Sequence, residues 1–516
     1  MSERGARGPG AGRGRGGRHQ RPGDGRRSDP RPARTRGPQR SGQHRPPEDA
    51  PDAARTAAAD TLEAVASSDA YANLVLPRLL RERGITGRDA AFATELVYGT
   101  LRLRGRYDAI LARCTRDRPL DQVDPPLLDL LRMGAHQLLG MRVPPHAAVS
   151  QTVSLVRTRI GRGAAGFANA VLRAAGRQDL DAWLEQLGSE TDGDDARLAA
   201  LESHPQWVVR AMRSSLRAAG RPAEDLPELL RADNDPPAVT LVARPGLVER
   251  ETLIEQVHDT LAQEATAGRW APTAVRLPGG DPSSVPAVRE ARAGVQDEGS
   301  QLVALALAAV DLCPGGTERR WLDLCAGPGG KSALLGAIAV ERGLHLVANE
   351  VAPHRARLVQ QSTAALPRAS VEVRTGDGRE LGEEEPAGYD RVLVDAPCTG
   401  LGALRRRPEA RWRRQPSDLP GLTTLQRDLL RSALEAVRPG GVVAYVTCSP
   451  HLAETAAVVD DVLRGRDDVT RLDAREAVRE AAGGDVPGLG EGPDVQLWPH
   501  VHGTDAMFLA LLRRDR

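Results

Sequence analysis

Lysine is nearly missing from this 516-residue sequence, because of its 70 lysines and arginines only Lys331 is a lysine. Cysteine is also scarce, and its five residues, odd in number and irregularly spaced, match neither a disulfide framework nor a metal-binding motif. They are Cys114, Cys313, Cys325, Cys398 and Cys448. No apolar run approaches the ~20 residues of a membrane span, and the first residues lack the apolar segment of a signal peptide. The sequence therefore predicts a cytoplasmic protein with free thiols, no metal site and no membrane contact.

The formal net charge of +1 conceals a strongly basic N-terminus. Residues 1–50 contain 13 arginines and 5 acids, a balance of +8, so the remainder carries +1 minus +8, or −7. This arm consists mostly of Arg, Gly and Pro, cannot form a core and is expected to be disordered. It could add salt-sensitive affinity for RNA or act only as a solubilising tail, and both interpretations stay open.

Hydrophobic periodicity divides the rest of the chain. Residues 51–178 carry apolar side chains at intervals of three and four, which predicts an all-α domain of about five to seven helices. Residues 179–235 are expected to form a helical connector, and residues 236–300 a small α/β RNA-binding subdomain with a helix at 251–264. From 301 to 516 strands alternate with helices, which predicts an α/β fold with a Rossmann-like sheet covered on both faces. The predicted strands are 320–324, 344–349, 370–374, 390–395 and 442–447, with an antiparallel final pair at 495–498 and 507–512, and the predicted helices are 332–341, 352–363, 423–437 and 452–463.

A glycine-rich loop joins the first of these strands to its helix. Its residues are Cys325, Ala326, Gly327, Pro328, Gly329, Gly330 and Lys331. Glycines let backbone N–H groups approach a ligand closely, and a helix N-terminus favours anionic groups. One interpretation is an ATP-binding Walker loop, although Cys325 stands where that pattern has Gly. The other is a loop for S-adenosylmethionine (SAM), which predicts an acid at the end of the next strand about 20 residues on, where Glu350 lies. The position of the single lysine in this loop indicates a functional role.

Polar side chains also follow the later strands, at the edge where parallel sheets bind ligands. Asp377 is suited to an adenine amino group, and Asp395 faces the expected reaction centre. Cys398 lies three residues after Asp395, and Cys448 lies at the tip of the next strand, in polar loops where a thiolate is favoured. A SAM site, a thiolate and an acid together suit methylation of carbon 5 of cytosine, because that carbon becomes nucleophilic only after a thiolate adds to carbon 6. The target base must be unpaired or flipped to reach such a site.

The phrases DAPCTGLG (395–402) and YVTCSP (445–450) resemble those of the RNA 5-methylcytosine methyltransferases of the NOP2/Sun family. The phrases RDAAFATELVYGTLR (88–102) and GFANAVLR (166–173) resemble the NusB-like domain, a helical RNA-binding fold. This domain precedes the catalytic domain in bacterial members of that family that act on ribosomal RNA. The resemblance covers about residues 50–514 and implies a monomeric enzyme acting on 16S rRNA or a small-subunit assembly intermediate.

The resemblance also implies residue roles. Cys448 would be the nucleophile, Cys398 would assist product release, and Asp395, with Lys331 beside it, would engage the cytosine. The SAM site would comprise the loop from Cys325 to Lys331 with Glu350, Asp377 and Asp395. The family often has Glu-Asn-Glu after the nucleophile, whereas this chain has Ala453-Glu454-Thr455, so Glu454 is only a weak candidate.

Other functions stay open. A DNA cytosine methyltransferase would use the Pro-Cys thiol, which predicts that Cys398 is essential and Cys448 dispensable. A non-catalytic RNA-binding or antitermination factor would bind no SAM. The arginine-rich segment, defined as residues 404–414, is predicted to contact RNA phosphates through its arginines and to stack Trp412 on a base, and its alternative is a solvated surface loop.

Overall fold

The computed structural model describes residues 52–68, 70–115, 118–313 and 317–515. The arm predicted for residues 1–50 lies outside these described residues. Across the described ranges, no helix combines the length and apolarity that crossing a membrane requires.

The first part of the described chain is helical. Up to Ala175 the described residues form α1 (Ala53–Ser67), α2 (Ala72–Glu82), α3 (Gly87–Arg102), α4 (Arg104–Cys114), α5 (Pro125–Leu139), α6 (Pro145–Arg159) and α7 (Arg162–Ala175). α1 begins after Asp52, whose carboxylate accepts a hydrogen bond from the backbone N–H of Arg55 at 2.7 Å. The apolar faces of the helices share one core, in which Leu96, Ile110 and Leu131 are fully buried.

Four helices and a small sheet follow. The helices are α8 (Leu180–Glu190), α9 (Asp194–Leu201), α10 (Gln206–Ala218) and α11 (Asp225–Ala232). The next elements are β1 (Val239–Ala243), α12 (Arg250–Leu261), β2 (Thr266–Ala267), β3 (Ala274–Leu277), α13 (Pro286–Arg289) and β4 (Ala293–Val295), and the four strands form an antiparallel sheet in the order β2-β3-β1-β4. The helix predicted for 251–264 ends early, because Ala262 adopts the left-handed conformation with φ 50°.

The C-terminal part contains a mixed sheet covered by helices. Its strands are β5 (Arg320–Asp323), β6 (His345–Asn349), β7 (Val371–Arg374), β8 (Tyr389–Asp395), β9 (Val437–Thr447), β10 (Val469–Leu472), β11 (Val495–Gln496) and β12 (Phe508–Arg514). Its helices are α14 (Glu298–Ala309), α15 (Gly330–Glu341), α16 (Pro353–Ser362), α17 (Leu381–Glu384), α18 (Ala410–Arg413), α19 (Leu419–Ala436), α20 (Ala456–Leu463), α21 (Ala474–Ala482) and α22 (Pro499–His502).

The strand order of this sheet identifies its ligand-binding edge. The order is β10-β12-β9-β8-β5-β6-β7, with β11 paired to β12, and the five strands from β9 to β7 are parallel. The chain runs outward from β5 to β7 and then returns to β8 on the other side of β5. Doubly wound sheets bind ligands beyond the carboxyl ends of the strands at such a reversal. The predicted fold class is therefore confirmed.

Both faces of the sheet are buried, as parallel sheets require. Trp321 of β5 packs into the core that includes Leu334 of α15, and the next residue, Leu322, packs into the opposite core with Leu430 of α19. Three predicted elements differ in detail. The helix predicted for 423–437 begins at Leu419 and ends at Ala436. β9 begins at Val437 instead of 442, and the helix predicted for 452–463 is a short 3-10 turn followed by α20, because Thr455 leaves the helical conformation (φ −118°, ψ −112°).

Candidate active site

The loop between β5 and α15 is tightly folded. Gly329 precedes α15 with φ 109°, and a Cβ added there would lie 2.9 Å from the Val359 Cα. Only glycine fits this backbone conformation and this contact. The Ser332 hydroxyl donates to the Asp323 carboxylate at 2.6 Å, which ties the start of the helix to the end of the strand. Burial raises the pKa of Asp323 to about 7.

Gly329→Ala is expected to destabilise the protein by about 2–4 kcal/mol, because both the strained conformation and the backbone contact must be relieved. Gly330 is a matched control: it is the first residue of α15, and the nearest atom to an added Cβ is 3.7 Å away, on Gln296. Gly330→Ala is expected to be neutral or to stabilise by up to about 1 kcal/mol. Urea unfolding measures both, and equal unfolding free energies would contradict the close approach at Gly329.

Other loop residues are held by neighbouring strands and helices. The Ala326 N–H donates to the Asn349 carbonyl at 2.8 Å, and the Pro328 carbonyl accepts from the Ser362 hydroxyl at 3.2 Å. Burial, and then the nearby charge of Asp323, raise the pKa of Cys325 well above that of an ordinary thiol. Cys325 is therefore a protonated part of the loop structure.

Glu350 fixes the loop from the end of β6. Its buried carboxylate accepts hydrogen bonds from the backbone N–H groups of Gly327 and Ala352, each at 3.0 Å. Arg355 lies 3.5 Å from the same carboxylate and also donates to the Gly327 carbonyl at 2.6 Å. The structure thus brings Glu350 into direct contact with the glycine loop.

Asp377 lies after β7, one strand further from the loop. Hydrogen bonds from the Arg379 side chain lower the pKa of Asp377, and the two side chains are 2.5 Å apart. Asn349, which the sequence did not single out, joins the neighbouring strand ends because its amide donates to the carbonyls of Leu324 and Gly376, each at 3.1 Å. The loop that carries Asp377 is therefore connected to the glycine loop through Asn349.

The single lysine bridges the reversal point of the sheet. Lys331 Nζ lies 2.8 Å from Asp395 Oδ2 at the end of β8. Burial alone would lower the pKa of Lys331, but the Asp395 carboxylate more than compensates and raises it. The ammonium group therefore connects the glycine loop to the loop that carries Cys398.

Two thiols meet beyond the ends of β8 and β9. Cys398 Sγ and Cys448 Sγ are 3.5 Å apart. The hydrogen bond from the Cys398 thiol lowers the pKa of Cys448 despite burial and the Asp395 charge, and the positive charges of Lys331 and Arg407 lower it further. The same hydrogen bond, with burial, raises the pKa of Cys398 well above its ordinary value. Cys448 is therefore the more acidic thiol of the pair, and Cys398 is placed to donate a hydrogen bond to it when it ionises.

A buried carboxylate holds the two thiol loops together. Glu454 accepts hydrogen bonds from the Thr399 N–H at 2.8 Å, the Ser449 hydroxyl at 2.7 Å and the Gln426 amide at 3.2 Å, and it also contacts the Thr399 hydroxyl. Thr399 follows Cys398 and Ser449 follows Cys448, so one side chain fixes both cysteines. The resemblance gave this position little weight, and its only sequence signal was an acid six residues after Cys448.

Most of the arginine-rich segment does not have its predicted role of contacting RNA. Arg411 is fully buried and donates to the carbonyls of Arg102, Ser203 and Asp233 and to the side chain of Asn234, at 2.8–3.1 Å. Arg405, Arg406 and Arg413 also donate to groups of the protein. Trp412 packs on α4, since a Cβ on Gly105 would lie 2.5 Å from its ring. The prediction that Trp412 and these arginines face RNA was wrong; they join the helical region to the sheet region.

Two family models match the chain. The model described as 16S rRNA methyltransferase RsmB/F matches residues 309–513, and the NusB family model matches residues 52–177. The ribosomal RNA small subunit methyltransferase B of Pseudomonas putida is 31% identical over 468 residues, 89% of this chain and 98% of that protein. The chain belongs to the RsmB/F methyltransferase family. The family membership predicted from the sequence is thus confirmed.

Further similarities also extend over nearly the whole length of the matched proteins. Rv1407 of Mycobacterium tuberculosis (strain ATCC 25618 / H37Rv), whose name as a methyltransferase is provisional, is 52% identical over 466 residues, 90% of this chain and 97% of that protein. The crystal structure of PH0851 superimposes with a TM-score of 0.71 at 20% identity, covering 89% of this chain and 97% of that one, and so shares the fold. The RsmB/F match includes every candidate site residue from Cys325 to Cys448.

Proposed function

We propose that this chain transfers the methyl group of SAM to carbon 5 of a cytosine in RNA, with 16S rRNA as the expected substrate. The observation that carries the proposal is the Cys398–Cys448 thiol pair, 3.5 Å apart, beside the Lys331–Asp395 ion pair at the reversal point of the sheet. Membership of a family described as 16S rRNA methyltransferases supports the choice of RNA.

The residues at the ends of β5 and β6 fit a nucleoside cofactor. Glu350, at the end of β6 and hydrogen-bonded to the Gly327 backbone, stands where a ribose would be held. Val351, which follows Glu350, is 62% exposed and offers an apolar surface for a base. When bound, SAM supplies an electrophilic methyl group. A Walker loop for ATP is disfavoured because the chain belongs to a methyltransferase family.

The first step of the proposed reaction belongs to Cys448. Its thiolate adds to carbon 6 of the cytosine, forming an S–C bond, and the electron pair of the 5,6 double bond moves to carbon 5. Asp395, held by Lys331, faces the N3 side of the ring and orients it. Carbon 5 would then accept the methyl group through that electron pair, while the bond between the methyl group and the sulfonium sulfur would break and leave a neutral thioether.

Cys398 serves the release step. While Cys448 is a thiolate, its charge and hydrogen bond raise the pKa of Cys398. Once Cys448 is bonded to carbon this effect disappears, so Cys398 ionises more easily and can remove the proton from carbon 5. The electron pair of that C–H bond restores the double bond, and the C–S bond breaks to regenerate the Cys448 thiolate.

The test of this function is methyl transfer from labelled SAM to 16S rRNA, followed by nucleoside analysis. The expected product is 5-methylcytosine. Label in another nucleoside, or none with RNA although SAM binds, would overturn the proposal. DNA of the same sequence tests the alternative DNA enzyme, and absence of SAM binding would favour a non-catalytic RNA-binding factor.

Lys331→Met is expected to move the alkylation of Cys448 to higher pH, because the lysine charge lowers the pKa of Cys448 and the remaining Asp395 charge raises it. At neutral pH less Cys448 thiolate is then present, and the rate of alkylation falls. The rate of iodoacetamide labelling of the Cys448 peptide against pH measures this without SAM. Lys331→Arg, which keeps the charge, should shift the profile less, and coincident profiles for Lys331→Met and wild type would contradict the assignment.

A further inference from the structure

One arginine of the arginine-rich segment differs from the other five. Arg407 is the only one of the six that is exposed. Among the described residues the guanidinium of Arg407 has no hydrogen-bond or ion-pair partner, which is also true of the half-buried Arg414, whereas Arg405, Arg406 and Arg411 donate to protein groups. Its positive charge is therefore available to a ligand.

The guanidinium of Arg407 lies over an exposed aromatic ring of the helical region. Its Cζ is 5.3 Å from the ring centroid of Tyr71, and the Cζ of Arg413 lies at the same distance from that centroid. Tyr71 is 36% exposed and immediately precedes α2. The adjoining backbone is fixed to the arginine-rich segment, because Arg413 donates to the Ala70 carbonyl and Glu409 accepts from the Ala72 N–H at 3.2 Å. Tyr71 and Arg407 thus form a held pair in which a cation packs on a partly exposed aromatic ring.

This pair lies close to the catalytic thiol. The Gly402 N–H donates to the Cys448 carbonyl at 2.8 Å. The following turn ends at Arg407, whose N–H donates to the Ala403 carbonyl at 2.9 Å. The Arg407 charge is also one of those that lower the pKa of Cys448. The helical region therefore reaches the edge of the active site through Tyr71.

We propose that Tyr71 and Arg407 bind the RNA strand beside the target cytosine, with Arg407 on a backbone phosphate and Tyr71 stacked on a flanking base. This inference rests on the proposed function and identifies which surface holds the substrate. An exposed arginine next to an aromatic ring suits single-stranded RNA, whose phosphates need a cation and whose unpaired bases stack on aromatic faces. Because residues 51–516 carry a net charge of −7, such affinity must come from local positive groups.

Binding of 16S rRNA tests the proposal, measured in a Cys448→Ala background so that thiol reactivity does not contribute. Arg407→Gln is expected to weaken binding about tenfold and to reduce the slope of log Kd against log salt by about one. Tyr71→Ala is expected to weaken binding about tenfold with the slope unchanged, since stacking releases no counterions. Tyr71→Phe, which keeps the ring, should bind as the parent does.

Arg464→Gln is the matched control, because the Arg464 side chain is 77% exposed and, within the described ranges, forms an ion pair only with Asp461 of the preceding helix α20. Binding by Arg407→Gln and Tyr71→Ala equal to that of Arg464→Gln would overturn the inference. In the active enzyme the two variants should raise KM for RNA but leave SAM affinity unchanged, and a loss confined to kcat would also overturn it. A wild-type protein that binds RNA and transfers no methyl group would refute the proposed function instead.

Discussion

Cys448→Ala is expected to lower the rate of methyl transfer by at least about 10⁴-fold, as removal of a catalytic nucleophile commonly does. It should also yield no covalent complex with RNA. The physical reason is that the Cys398 hydrogen bond and the Lys331 charge favour the thiolate at Cys448, whereas Cys398 is kept protonated. A denaturing gel of labelled 16S rRNA incubated with enzyme and SAM measures the complex, and methyl counting measures the rate.

Cys398→Ala is expected to give the opposite pattern on the same gel. Without a group that removes the carbon 5 proton, the methylated cytosine stays bonded to Cys448 and the complex accumulates. Cys313→Ala is the matched control, because Cys313 lies before β5 and has no contact with the thiol pair, and it should behave as wild type. A complex with Cys448→Ala but not with Cys398→Ala would assign the attack to Cys398 and favour the mechanism of the DNA enzymes.

The central strands could be predicted from sequence because parallel strands buried on both faces are short apolar runs. The predicted 320–324 and 344–349 correspond to β5 (Arg320–Asp323) and β6 (His345–Asn349). β10 was not predicted, because Val469–Leu472 is a half-buried edge strand and its sequence Val-Thr-Arg-Leu contains no apolar run. The early end of α12 was not predicted, because Ala262 adopts the left-handed conformation that glycine usually occupies at the end of a helix.

In the candidate site, too, some features could be predicted from the sequence and others could not. Lys331, Asp395, Cys398 and Cys448 could be singled out because each is an unusual residue at the end of a predicted strand or loop, and the structure brings all four together. The burial of Arg411 could not be anticipated, since charged side chains are rarely buried and its acceptors come from α3 and the ends of α9 and α11. Only the three-dimensional structure shows that backbone carbonyl groups, in place of water, accept the hydrogen bonds of the Arg411 guanidinium.

Glu454→Ala is expected to lower kcat by about 10³-fold and to destabilise the fold by about 3–5 kcal/mol. The substitution removes the acceptor shared by Thr399, Ser449 and Gln426, and leaves their buried donors unpaired. Because Thr399 and Ser449 each follow a catalytic cysteine, the distance between the two thiols is no longer fixed. Steady-state kinetics and urea unfolding measure the two effects, and the KM for SAM should change little because Glu454 does not contact the glycine loop.

Glu454→Gln separates the loss of charge from the loss of the acceptor. A glutamine can keep one oxygen for the Thr399 N–H and the Gln426 amide, while its own NH₂ faces the hydroxyls of Thr399 and Ser449, which can rotate to accept. The expected loss in kcat is therefore only about tenfold. Glu476→Gln, an exposed substitution on α21, should leave activity and stability unchanged. If Glu454→Gln were as inactive as Glu454→Ala while equally stable as wild type, the charge itself would act in the reaction, and a purely positioning role for Glu454 would be wrong.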